Sequence, residues 1–404
     1  MKPMLSFEDA LSRLLLAAPA VSEIEEVPLH AAGGRVLAAT LHSAINVPPC
    51  DNSAMDGYVV RAADAAVAGC RLPVEQRIPA GTVGQPLRAG TAARIFTGAP
   101  IPEGGDSVVM QEDCQETADG VQIAQPAILG RHIRRAGEDI HQGAEVLAAG
   151  SRLLPQHIGL AASVGLARLP VWRRLKVALI STGDELTPPG EPLKPGAIYD
   201  SNRVVLRTLL ERLGCVVSDL GLVADRLEPT RAALRAAAAD HDLILTSGGV
   251  SVGEEDHVKT ALQAEGELDL WKIAIKPGKP LAFGSVRKAG GAATFIGLPG
   301  NPVAALTTFL MLVRPCVVKM QGAAQCEPRG MRLPAGFSWP KPDKRREFLR
   351  ARLDENGQLS LFPNQGSAIL SSAVWAEGLI NLPPATVVTE GMPVLFYSFS
   401  DLLS

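Results

Sequence analysis

The sequence predicts a multidomain α/β protein. Its largest part is a doubly wound, mostly parallel sheet domain. A helical and extended domain, a small β domain and a C-terminal β-barrel-like domain accompany it. Three observations predict this. From residue 174 to 325 apolar runs alternate with amphipathic helices, the spacing of a parallel sheet. From 44 to 142 short apolar runs alternate with glycine and proline, the texture of a small antiparallel β domain or barrel. From 326 to 404 short strands return in EFLRARL, QLSLF, GLINLP and PVLFYSF. The remaining segments, 1–43 and 143–173, read as one helical and linking domain.

The first helix is marked by Ser6 as cap, by Glu8 and Asp9 at its positive end, and by an apolar stripe of Phe7, Leu11, Leu14 and Leu15. Pro19 ends it. Pro155 lies near the start of another helix, with Ile158, Leu160, Ala161 and Val164 following. In the sheet domain KVALIS is a continuous apolar run, as expected of a strand covered on both faces. SNRVVLRTLLERLG is a helix that Ser201 or Asn202 can cap, that presents Val205, Leu209 and Leu213 on one face, and that Gly214 can close. CVVSDL, LILTS, LDLWKIAI and TFIGL are the further strands, and EPTRAALRAAAA is a helix. NPVAALTTFLMLV opens with Asn301 as cap and Pro302 at the first helical position.

The chain has 404 residues, 47% of them hydrophobic and 20% charged, and a formal net charge of −3. Nothing in that balance points to nucleic acid or an anionic membrane. KPDKRREFLRAR, from Lys341 to Arg352, is a local basic stretch whose ordinary reading is a solvated face. None of the six cysteines forms a CxxC pair or sits at zinc-site spacing with histidine. The N-terminus lacks a signal pattern, and no apolar run approaches the ~18 residues of a span; VAALTTFLMLVRPCVV is interrupted by Arg314 and Pro315. A cytoplasmic protein with no membrane and no nucleic-acid partner is expected.

Ligands of doubly wound sheets bind beyond the carboxyl ends of the strands, and the chemistry-bearing motifs fall there. Leu243 to Lys259, LILTSGGVSVGEEDHVK, is a strand, a glycine loop and a helix start. Gly248, Gly249 and Gly253 let backbone approach a ligand, Ser247 and Ser251 offer hydroxyls, and the helix start suits a phosphate. Glu254, Glu255 and Asp256 beside an anion site call for a cation, such as magnesium bridging carboxylate and phosphate. In KIAIKPGKP, strand alternation puts Lys272 and Lys276 on one face, where an anion between them would relieve their repulsion. GLPGNP, with Pro299 and Asn301, can line the same crevice. Asp184, Glu185 and Asp225 end two strands at this edge; a helix cap is the competing role for Asp184. DNSAMDGYVVR (Asp56, Tyr58), FTGAPIP (Thr97) and GEDI (Asp139) each read, taken singly, as turn-rich loops.

Together DNSAMDGY, FTGAPIP, RRAGEDI, STGDEL, SGGVSVGEEDH, WKIAIKPGKP and GLPGNP resemble, in order and over nearly the whole chain, the molybdopterin molybdenumtransferases, molybdenum insertases related to the C-terminal part of gephyrin. The resemblance implies a molybdopterin-binding type of sheet domain. It implies that molybdate and adenylylated molybdopterin are substrates, that AMP is released, and that Mg2+ takes part. It also implies an elongated homodimer with the site between subunits, possible delivery partners among other molybdenum cofactor synthesis proteins, and functional roles for Asp56, Thr97, Asp139, Glu185, Asp225, Asp256, Lys272 and Lys276. Of these, Asp139, Glu185, Asp225 and Asp256 are the implied metal ligands. Arg346, Arg350 and Ser367 are implied substrate contacts of the last domain. Two positions depart from the pattern. Arg226 follows Asp225 where many relatives have a second acidic residue, and His257 stands where an aromatic residue is common. The competing readings are the preceding adenylyl-transfer step, whose enzymes resemble the sheet domain alone, and a non-catalytic scaffold of the gephyrin kind.

Overall fold

The computed structural model describes residues 4–249 and 257–403. Its centre is a six-stranded sheet. The strands are β1 (Lys176–Thr182), β2 (Val216–Val223), β3 (Leu243–Ser247), β4 (Gly266–Lys272), β5 (Pro280–Lys288) and β6 (Gly291–Leu298), in the order β2-β1-β3-β6-β5-β4. β2, β1, β3 and β6 run parallel, while β5 and β4 are antiparallel additions. Val177 to Ile180 and all of β3 are buried, as continuous apolar runs predict.

Helices cover both faces. On one side Leu206 and Leu210 of helix Ser201–Arg212 pack with Leu298, Phe309 and Leu14 of helix Phe7–Ala17. On the other, Leu234 and Ala237 of Leu227–Asp240 meet Val258 and Leu262 of His257–Glu265 over Phe295. Ser6 caps its helix as expected, its hydroxyl accepting from the N–H of Asp9. The second cap differs: Asp200, not Ser201 or Asn202, accepts from the N–H of Arg203. That frees the Asn202 side chain for another task.

Arg314 and Pro315 do not break the apolar run. Helix Pro302–Met320 passes through them by way of a wider π turn at Phe309–Val313, the kind of local adjustment that absorbs a missing helical hydrogen bond. It is the helix among the described residues with the length and hydropathy of a membrane span, and 89% of its most apolar 18-residue stretch is buried as the core of this domain.

Between residues 44 and 142 lie a four-stranded sheet, ordered Val74–Ile78, Ala92–Ile95, Gly57–Val60, Ser107–Met110, and a three-stranded one. The pairing is antiparallel except for Val74–Ile78, which runs parallel to Ala92–Ile95. The last part of the chain folds around Leu349, Ile380 and Phe396. Its central strand, Arg346–Leu353, pairs with Gly378–Leu382 on one side. On the other it pairs in parallel with the two-residue strand Ile275–Lys276, which comes from the sheet region. The C-terminal β unit is thereby built onto the segment that carries Lys276. The basic stretch around this strand is only partly a solvated face: Lys341, Lys344 and Arg352 are exposed, while Arg350 is buried together with Glu347.

Candidate functional site

Three loops at the carboxyl edge of the sheet, the segment 276–280 and two segments of the C-terminal unit enclose a cleft of about 550 Å3. Glu185, Gly248, Gly249, Lys276, Lys279 and Arg345 supply its chemistry, and Pro299, Asn301 and Ser367 line it as well. The turn after β3 needs its glycines. Gly248 and Gly249 have φ of +86° and +64°, and a Cβ on Gly249 would stand 2.6 Å from Thr182 Oγ1 and from Val258 Cγ2. Gly248 N–H donates to Leu298 O at 3.2 Å, tying this turn to the end of β6.

Asn202, 9% exposed, makes the second tie. Its Nδ2 donates to Ser247 Oγ at 2.8 Å and to Gly300 O at 2.7 Å. Ser247 therefore sits beneath the cleft with its hydroxyl engaged by protein. Nothing in the local sequence distinguished this asparagine from a helix cap.

The basic wall comes from the junction with the C-terminal unit. Lys272 and Lys276 do not share one strand, because β4 ends at Lys272 and Ile275–Lys276 joins the other sheet. Lys272 pairs with Pro280 across β4 and β5 and is not among the cleft-lining residues. Lys276 Nζ lies 3.1 Å from Glu347 Oε1 and 3.5 Å from Asp343 Oδ2. Arg345 forms a two-pronged ion pair with Asp343, at 3.1 and 2.9 Å, and this holds the Asp343 carboxyl far below the usual carboxylate range. Strand alternation turns the neighbour away: Arg346 bonds Asn381 Oδ1 at 2.7 Å, pairs with Glu8 and lies over the Phe7 ring. The cleft thus takes Arg345, which the sequence reading passed over, rather than Arg346.

Arg350 is wholly buried, and burial pushes its pKa down to about 10. Its guanidinium donates to Ser372 Oγ at 3.1 Å and to the carbonyls of Gly366 at 3.1 Å and Asn364 at 3.4 Å. It shapes the loop that carries Ser367, whose carbonyl accepts from Val303 N–H at 2.9 Å, and it lies behind the cleft wall.

Asp56, Thr97 and Asp139 belong to the β unit and do not line this cleft. Asp56 Oδ1 accepts from both the N–H and the hydroxyl of Thr97 at 2.8 Å, and these bonds hold its carboxyl below its ordinary value. The loops are stitched together: Ser53 N–H donates to Ala99 O, Ser53 pairs with Ile133, and Arg135 and Ala136 bond Asp51. Asp139 is exposed on that loop set. Asp225 follows β2, and Asp184 is exposed beside Glu185 with no helix to cap. Ser251, Gly253, Glu254, Glu255 and Asp256 lie outside the described residues.

Among the described residues no three His, Cys, Asp or Glu side chains gather as a protein-only metal cage. Magnesium is commonly held by one or two carboxylates together with substrate phosphates. Glu185 beside the Gly248–Gly249 turn fits that donor set.

Comparison with known proteins agrees along the full length. Residues 5–165 match the model of the MoeA N-terminal region (domain I and II), 178–319 that of a probable molybdopterin binding domain, and 332–399 that of the MoeA C-terminal region (domain IV). A molybdopterin molybdenumtransferase of Haemophilus influenzae is 41% identical, over 99% of this chain and 100% of its own length. One of Synechococcus elongatus is 38% identical, over 97% and 98%. The crystal structure of a molybdopterin biosynthesis MoeA protein from Pyrococcus horikoshii superposes with a TM-score of 0.85 at 29% identity, over 98% of this chain and 100% of that one. The chain belongs to the molybdopterin molybdenumtransferase family, transferases of molybdenum cofactor biosynthesis.

Proposed function

We propose that this protein inserts molybdenum from molybdate into adenylylated molybdopterin, releasing AMP in a magnesium-dependent reaction. The observation that carries the reading is the cleft itself. Lys276, Lys279 and Arg345 face a glycine turn and Glu185 across a space large enough for an oxyanion and a phosphate. Cations fixed in advance stabilise tetrahedral oxyanions and the charge that develops when a phosphoanhydride is cleaved. Lys276 and Arg345 would bind the molybdate oxygens. The Gly248–Gly249 turn would approach the substrate phosphate. Glu185 would hold magnesium or orient the attacking water, and magnesium, when bound, would offset charge on the phosphate oxygens.

A second copy of the chain completes the proposal. Asp56, Thr97 and Asp139 stand on one edge of the β unit, apart from the Lys276 cleft of the same chain, which supports a site shared between two subunits. The exposed apolar side chains of Leu220 and Leu222 on the outer strand β2, of Val204 on the helix packed beside it, and of Ile198 and Tyr199 just before that helix support a homodimer contact. We take the chain to divide into 1–43 with 143–173, 44–142, 174–325 and 326–404, and the protein to work in the cytoplasm; separate clusters support the linking, small β and C-terminal cores, while helix Phe7–Ala17 packs into the sheet-domain core.

The test is direct. With adenylylated molybdopterin, molybdate and magnesium, the protein should release AMP in step with molybdenum incorporation. ATP consumption without AMP release would assign it to the preceding adenylyl transfer instead. Lys276→Ala should raise the molybdate concentration for half-maximal rate by roughly 10- to 100-fold, the range for losing a hydrogen bond to a charged partner. An unchanged molybdate dependence would remove Lys276 from the site.

A further inference from the structure

The cations of the cleft are restrained. Lys276 Nζ donates one hydrogen bond to Glu347 Oε1 at 3.1 Å, while its side chain remains 43% exposed. An ammonium group has three N–H donors, so the bond to Glu347, with Asp343 Oδ2 3.5 Å away, fixes its direction and still leaves donor capacity for a ligand. The Glu347 side chain is only 2% exposed. Its other oxygen accepts from Trp339 Nε1 at 2.9 Å and from Asp343 N–H at 3.0 Å. Burying a carboxylate is costly unless donors answer it, and three do so here. Asp343 in turn grips Arg345 by side chain and backbone.

Two cations of the cleft are thus matched by two carboxylates set behind them. Lys279 and Glu185 line the same cleft. A wall built only to capture an oxyanion would leave its lysine and arginine unopposed. Here a divalent oxyanion must share Lys276 with Glu347 and Arg345 with Asp343.

Resting on the reading of this cleft as the molybdate site, we infer that Glu347 and Asp343 are positioning residues that fix Lys276 and Arg345 and temper their charge. The oxyanion is then held in register but loosely enough to be passed on. Neither carboxylate touches substrate; both act through the cations.

The test compares Glu347→Gln, Asp343→Asn, Lys276→Ala and the unaltered full-length protein. Molybdate binding is measured by equilibrium dialysis, and AMP release is measured with adenylylated molybdopterin. Glu347→Gln should bind molybdate about tenfold more tightly, the order expected for removing one charge close to a dianion at a protein surface. Its KM for molybdate and its kcat should fall together. Asp343→Asn, in a partly exposed loop, should shift both in the same direction by less, and it decides the matter if Glu347→Gln fails to fold. A merely structural role would weaken binding and never tighten it. Folded variants that bind molybdate as the unaltered protein does, or more weakly, overturn the inference. If the unaltered protein and Lys276→Ala both fail to bind molybdate, the cleft reading falls and takes the inference with it.

Discussion

Asn202→Ala takes two donors from the floor of the cleft at once. The amide is 9% exposed, and its Nδ2 spans from Ser247 at the end of β3 to Gly300 after β6. Each lost bond leaves an acceptor in a place water reaches poorly. At about 1 to 1.5 kcal/mol per bond the loss is about 2 to 3 kcal/mol. The effect on function follows from where the bonds end. Ser247 precedes the Gly248–Gly249 turn and Gly300 precedes Asn301, so the two loops lose a shared anchor. The molybdate concentration for half-maximal rate should rise several-fold while Lys276 and its partners stay in place. Asn202→Asp is the sharper probe, because it puts a carboxylate oxygen where a donor met the Gly300 carbonyl. It should cost more than alanine. The assay pairs denaturant unfolding, read at the transition that belongs to the sheet domain, with AMP release at varied molybdate. If Asn202→Ala unfolds at the wild-type midpoint with an unchanged molybdate dependence, the anchor is not energetic. If aspartate is tolerated better than alanine, the donor assignment is wrong.

Two further outcomes test the β unit. Asp56→Ala should lose AMP release while keeping the unfolding profile, since Asp56 sits on an exposed loop and its carboxylate accepts hydrogen bonds from Thr97; wild-type turnover would remove it from the reaction. The Tyr58 phenol is pushed up to about 12 by burial and by its hydrogen bond to Glu116, so the folded state holds that proton more tightly than the unfolded chain does. Its contribution to stability is complete below pH 10 and is lost as pH rises through about 12. An absorbance titration should show a late phenol transition that Tyr58→Phe abolishes; a titration whose late end is unchanged in Tyr58→Phe would refute it.

The features legible in the sequence are those fixed by local pattern. Apolar runs marked the parallel strands, because burial on both faces leaves few alternatives at each position. Ser6 and Pro302 marked helix starts through chemistry confined to one turn. The glycine turn after β3 was legible because only glycine tolerates its φ and the closeness of Thr182. Asn202 was misread for the opposite reason. Three adjacent residues, Asp200, Ser201 and Asn202, can all cap, and the choice depends on Gly300, which is 98 residues away and joins only in the folded chain.

The basic wall of the cleft shows the same limit at its clearest. RR at 345–346 announces cations, yet period-two alternation makes one of them face the cleft and the other face helix Phe7–Ala17. Which one it is depends on the register of Arg346 against Ile275, a pairing between segments some 70 residues apart in the chain. A slip of one residue would exchange Arg345 and Arg346 and carry Glu347 away from Lys276. The buried Glu347 resists that slip, because its three donors, from Lys276, Trp339 and the Asp343 backbone, can all be met only in the observed register. The residue that tempers the cleft's charge thus also fixes which cation enters it.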